Sequence, residues 1–157
     1  SNQLLTQVMN DDLEFEVSKV IVNDNIRGCI VRPQSILKFK DHTFLVEVVR
    51  KTPDWKEKLN QKLSRYDVVL ENYQNLNVEF KTKPTLIIQG ESYEHMFEIM
   101  KLYEENNYEH IDIIFTFDRI LLYQLENAFF VISKDTHKKG ILSFYLEGER
   151  SRKSRNR

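Results

Sequence analysis

The sequence predicts an α/β domain, a mixed sheet flanked by helices, and three observations carry that reading. Short apolar runs, Phe44 to Val49, Leu86 to Ile88 and Ile111 to Phe117, alternate with two segments whose apolar positions recur every three or four residues. A hydrophobic content of 41% in 157 residues fits one soluble domain with a real core. Aromatics are plentiful, while 4 glycines and 3 prolines confine expected disorder to the ends.

Taken in order, Leu4 to Phe15 alternates apolar and acidic positions and is read as a short helix that carries Asp11, Asp12, Glu14 and Glu16 toward the first strand. Val17 to Val22 is a strand candidate, Asn23-Asp24-Asn25 marks a turn, and Gly28 to Val31 extends the sheet. Arg32 to Phe39 reads as a strand joined by the polar connection Lys40-Asp41-His42-Thr43 to Phe44 through Val49. A long helix then opens at Thr52-Pro53-Asp54, with a hydroxyl at the N-cap, proline at the first helical position and an acid in the first turn. Trp55, Leu59, Leu63, Tyr66, Leu70 and Tyr73 give it one apolar stripe.

Asn72 to Asn77 ends that pattern. Val78 to Phe80 suggests a short edge strand, and Pro84 to Gln89 a buried parallel strand. Gly90-Glu91-Ser92 leads into a second helix with Tyr93, Met96, Phe97, Met100 and Tyr103 on one face, and Ile111 to Phe117 follows as a strand. Strand, helix and strand at these lengths form a right-handed crossover unit. Ala128 to Ile132 and Ile141 to Leu146 read as further strands around the polar turn Ser133 to Gly140. No repeat or linker divides residues 1–148, which read as one domain; 149–157 read as a flexible basic tail without an apolar anchor.

Composition narrows the function. With 23 basic against 24 acidic residues, net charge does not announce a nucleic-acid binder, so local distribution must carry that argument. The single cysteine, Cys29, excludes an internal disulfide framework and suits a reducing cytoplasm. No apolar run approaches a membrane span. His42, His95, His110 and His137 lack metal spacing, and no glycine-rich phosphate loop is present.

The telling residue is Glu47. It sits in the middle of an apolar strand, and a lone buried carboxylate is costly unless paired, protonated or bound to a cation. The candidates to meet it are Gln34 on the neighbouring strand, Glu14 or Glu16 from the leading segment, and Lys58, Lys62 and Arg65 beside the stripe of the long helix.

A strand opening with proline and an acid, a second strand ending in Glu-x-Lys, and a helix behind them form the pattern of the restriction-endonuclease-like fold, which this segment resembles. More narrowly, Arg32-Pro33-Gln34-Ser35, Phe44 to Lys51, and Lys62-Leu63-Ser64-Arg65-Tyr66 resemble the plasmid replication-relaxation (mobilisation) family. In longer members a winged-helix DNA-binding segment precedes this part; none is visible here, as would suit a fragment. Two positions depart from the pattern: Gln34 stands where the first acid belongs and Val49 where the lysine belongs.

The resemblance implies a nuclease-like, catalytically degenerate domain in DNA processing, a DNA-binding or assembly module with DNA and plasmid-processing proteins as partners. No cofactor is required in that reading. The opposing expectation is a magnesium-dependent DNA endonuclease, with Glu47, Gln34 and Glu16 as metal ligands and Lys62 as a displaced catalytic lysine. DNA contact would fall to Lys58, Lys62, Arg65 and, in the tail, Arg150, Arg152 and Lys153. The plain alternative is a protein-interaction domain in which Glu47 is a structural acid paired with a nearby cation. Oligomeric state is not legible.

Overall fold

The computed structural model describes residues 13–118, 129–132 and 139–142. Its elements are β1 (Leu13–Val17), β2 (Ile21–Val22), β3 (Ile30–Val31), β4 (Ser35–Phe39), β5 (His42–Val48), α1 (Trp55–Glu71), β6 (Thr85–Gly90), α2 (Tyr93–Glu105), β7 (Ile113–Phe117), β8 (Phe129–Ile132) and β9 (Lys139–Leu142). Seven strands form one mixed sheet in the order β1-β4-β5-β6-β7-β8-β9, and β2 with β3 makes a separate ribbon. β1, β4 and β5 are antiparallel; β5, β6 and β7 are parallel; β8 and β9 return antiparallel. The expected α/β architecture is present, with each parallel pair joined through a helix as such pairs require.

Register decides what faces the helices. Ile36 pairs with Leu45, Leu45 with Leu86, and Ile88 with Phe115, so these side chains share one face of the sheet. They join one core with Leu59, Leu63, Tyr66 and Leu70 of α1 and Met96, Ile99 and Met100 of α2. Glu47 lies two residues beyond Leu45, on that same helix-facing side, opposite Ile88. On the other face Leu37, Phe44, Val46, Ile87 and Ile114 are also buried.

Several elements differ from the sequence reading. Leu13–Val17 is a strand, not the end of a helix: Leu-Glu-Phe-Glu-Val alternates with period two and pairs with β4 across its whole length. Within Val17 to Val22 only Ile21–Val22 is a separate strand, and Ile30–Val31 pairs with it instead of extending the main sheet. The β4–β5 connection is shorter than expected, because His42 already pairs with Phe39 and Lys40 turns the chain at φ 56°.

α1 begins at Trp55, with Asp54 as N-cap; Thr52 receives the Trp55 N–H on its carbonyl, which leaves Pro53 in the preceding turn. Tyr73 falls beyond α1 in a short 3-10 turn, while Trp55, Leu59, Leu63, Tyr66 and Leu70 are buried as the stripe requires. Phe80 is buried without forming an edge strand, and β9 starts at Lys139, inside the expected turn. α2 keeps its expected face except that Tyr93 is 48% exposed, edge-on to Phe97 and Phe117. Ser92 caps α2 by accepting the His95 N–H. Gly90 lets β6 pass close beneath this helix start, since a Cβ there would lie 3.1 Å from the Met96 nitrogen.

Candidate nucleic-acid cleft around Glu47

β5 holds Glu47 against α1, and α1 answers with two residues one turn apart. Lys62 and Tyr66, spaced i and i+4, project from the same side of the helix. The Lys62 ammonium donates to Glu47 Oε2 at 2.7 Å, and the Tyr66 hydroxyl donates to Oε1 at 2.9 Å. Glu47 is 1% exposed, whereas the Lys62 side chain is 44% exposed, so the ammonium links a dry carboxylate to solvent.

Burial pushes the Glu47 carboxyl above the ordinary glutamate range; the charge and hydrogen bond of Lys62, the Tyr66 hydroxyl and the Gln34 backbone oppose that shift without cancelling it. Burial and the neighbouring carboxylate hold the Tyr66 phenol well above its usual value, which keeps it a neutral donor.

Over this group opens a cleft of about 390 Å³ lined by Val20, Ile30, Val31, Arg32, Glu47, Lys62, Arg65 and Tyr66. Its outer wall is the β2–β3 ribbon, fixed in place by the chain after α1. Asn77 accepts the Val22 N–H on its side-chain oxygen at 2.9 Å and donates its side-chain amide to the Val20 carbonyl at 3.0 Å; Asn23 donates to the Asn75 carbonyl at 2.9 Å. Arg32 and Arg65 are exposed, and among the described residues neither enters an ion pair or a side-chain hydrogen bond. A smaller, mainly apolar cleft of about 220 Å³ adjoins it, sharing Lys62 and lined also by Arg50, Trp55, Lys58 and Leu59. Lys58 there pairs with Asp54 at 3.3 Å.

The residues expected from the sequence are therefore only partly brought together. Glu47, Lys62 and Arg65 meet at one cleft, and Lys58 sits on the next. Gln34 turns its side-chain oxygen to the Val48 N–H at 2.8 Å while its own N–H donates to the Val46 carbonyl, so it prolongs the β4–β5 ladder. Glu16 bonds Lys38 at 2.8 Å and Lys19 at 3.0 Å. It stands on β1, two strand spacings from β5, about 10 Å sideways. Arg150, Arg152 and Lys153 lie outside the described residues.

Magnesium needs several oxygen ligands close to 2.1 Å. With Gln34 engaged by backbone and Glu16 held by two lysines two strands away, Glu47 is left as a single carboxylate that already answers Lys62 and Tyr66, and this donor set does not fit that ion. Among the described residues, no three His, Cys, Asp or Glu side chains gather as a metal site.

Two polar residues of the cleft, Tyr66 and Arg32, stand in the segments that carry the resemblance but have no site role in the sequence reading. Tyr66 counted as core, although its spacing from Lys62 marks it as a second partner for whatever Lys62 meets. Arg32 had no local signal, since its place depends on the ribbon folding away from the main sheet.

The fold and this cleft define an α/β domain with a buried acid beneath a basic rim. In comparisons with family models, curated proteins and solved structures, none matches this chain. Among the described residues no helix is long and apolar enough to cross a membrane.

Proposed function

We propose that this chain is a nuclease-like DNA-binding module of the plasmid replication-relaxation type, in which an internal ion pair has replaced the catalytic centre. One observation supports it above the others: the carboxylate at the nuclease-like position is closed off by Lys62 and Tyr66, while Arg32 and Arg65 stand uncommitted at the mouth of the same cleft. A sealed carboxylate cannot organise an attacking water. Two free guanidiniums can each grip a phosphate through parallel N–H donors.

Gel-shift titration of plasmid fragments across a salt series tests the reading. Binding should weaken steeply as salt rises, and Arg32→Ala and Arg65→Ala should each reduce the salt slope by about one. Absence of binding at low salt would remove DNA as the ligand. Nicking of supercoiled DNA in magnesium or manganese that disappears in Glu47→Gln would overturn the degenerate centre.

A further inference from the structure

The lining of the large cleft is divided in a way that a purely phosphate-binding groove would not need. Three of its residues, Val20, Ile30 and Val31, are aliphatic and come from the ribbon or its approach. Ile30 is 50% exposed, one of three large hydrophobic side chains left open among the described residues. Lys62 and Arg65 of α1 line the same cleft, and Arg32 follows Val31 directly along the chain. The lining thus combines an aliphatic group from the ribbon with cationic side chains, of which Arg32 and Arg65 are exposed.

A duplex offers phosphates and sugars outward and keeps its bases stacked inside, so an exposed aliphatic wall finds little to cover on it. An unpaired nucleotide presents an anionic group at one end and an apolar ring face at the other. The floor adds a second constraint. Glu47 carries a carboxylate already matched by Lys62, so the interior holds no surplus positive charge for a second phosphate. A single anion is therefore favoured, and it belongs with the two exposed guanidiniums. The cleft volume of about 390 Å³ falls in the range of pockets that enclose one small molecule.

We infer that this cleft receives one unpaired nucleotide of a single DNA strand, its phosphate between Arg32 and Arg65 and its base against Ile30 and Val20. The inference rests on the DNA-binding reading above and narrows its ligand. Contact of a base with a side-chain platform tolerates sequence, so the preference is for single-strandedness and not for a particular base.

Fluorescence anisotropy decides it, using a labelled twelve-nucleotide strand, the same sequence as a blunt duplex, and the strand with abasic sites, all at one salt concentration. The intact strand should bind roughly threefold to fivefold more tightly than the duplex or the abasic strand, the scale of covering a few tens of Å² of aliphatic surface. Ile30→Ala, a change at a half-exposed position, should erase that margin and leave weaker, salt-sensitive binding; Arg65→Ala should weaken all three ligands. Equal affinity for strand and duplex, unchanged by Ile30→Ala, would overturn this inference while the DNA-binding module stands. No binding to any of the three would overturn both.

Discussion

Two carboxylates of this sheet meet lysines at nearly the same distance, and their protons behave in opposite ways. At the β1–β4 edge, Glu16 meets Lys38 at 2.8 Å and Lys19 at 3.0 Å. Under α1, Glu47 meets Lys62 at 2.7 Å. The side-chain hydrogen bonds of Lys38, then Lys19, hold the Glu16 carboxyl below the ordinary range; burial drives that of Glu47 above it. Glu16 keeps 27% of its side-chain surface in water and Glu47 only 1%. The contact distance does not set the sign. What sets it is whether solvent can still support the ionised form once the partner is in place.

The sharpest way to break the comparison is to remove the cation from each pair. Lys62→Ala leaves a dry carboxylate with the Tyr66 hydroxyl and the Gln34 backbone as its remaining supports. Removal of one partner from a fully buried pair costs about 3–5 kcal/mol, and the half-exposed lysine lowers the expectation to about 2–3 kcal/mol near neutral pH. Urea denaturation measures it, and a loss under about 0.5 kcal/mol would show that Glu47 is already protonated in the native protein. Tyr66→Phe comes next. It removes one hydrogen bond from the carboxylate without opening a large cavity, and the expected loss is about 1–2 kcal/mol.

The sequence made one half of this comparison legible. An acid inside an apolar strand demands a partner, the strong helical period of Trp55 to Leu70 shows which helix packs nearby, and the flanking lysines follow. Gln34 was not legible in that sense: its side chain serves the Val48 N–H, a consequence of β4–β5 register that no local motif announces. Nor was Leu13–Val17, five residues whose alternation becomes decisive only once β4 is there to pair with. Arg32 reaches the cleft because Asn23 and Asn77, more than fifty residues apart, tie the ribbon to the chain after α1. Contacts of that range leave no periodic trace in the sequence.

The pH dependence separates the two pairs further. With its native pKa raised, Glu47 contributes stability that is fully present below the unfolded glutamate value of about 4.3 and is lost as pH rises through the native value. Glu47→Gln keeps an acceptor for Tyr66 and removes the titration. Its stability relative to the natural protein should therefore improve as pH rises above the unfolded glutamate value of about 4.3 and level off once pH passes the native Glu47 value, as followed by thermal melts at fixed salt.

The smallest effect belongs to the edge pair, and it runs the other way. A lowered native pKa makes the Glu16 contribution present above the unfolded value and lost as pH falls through the native one. Lys38 and Glu16 are both partly in water, and Lys19 remains as a second cation for the carboxylate. Lys38→Ala should therefore cost no more than about 0.5 kcal/mol at neutral pH, and added salt should shrink even that. Glu16→Gln should flatten the acid limb of the stability curve and leave the limb above pH 6 untouched. A cost for Lys38→Ala matching that of Lys62→Ala would mean that β1 seals its edge of the sheet far more tightly than its exposed acid implies, and burial would lose its place as the deciding variable.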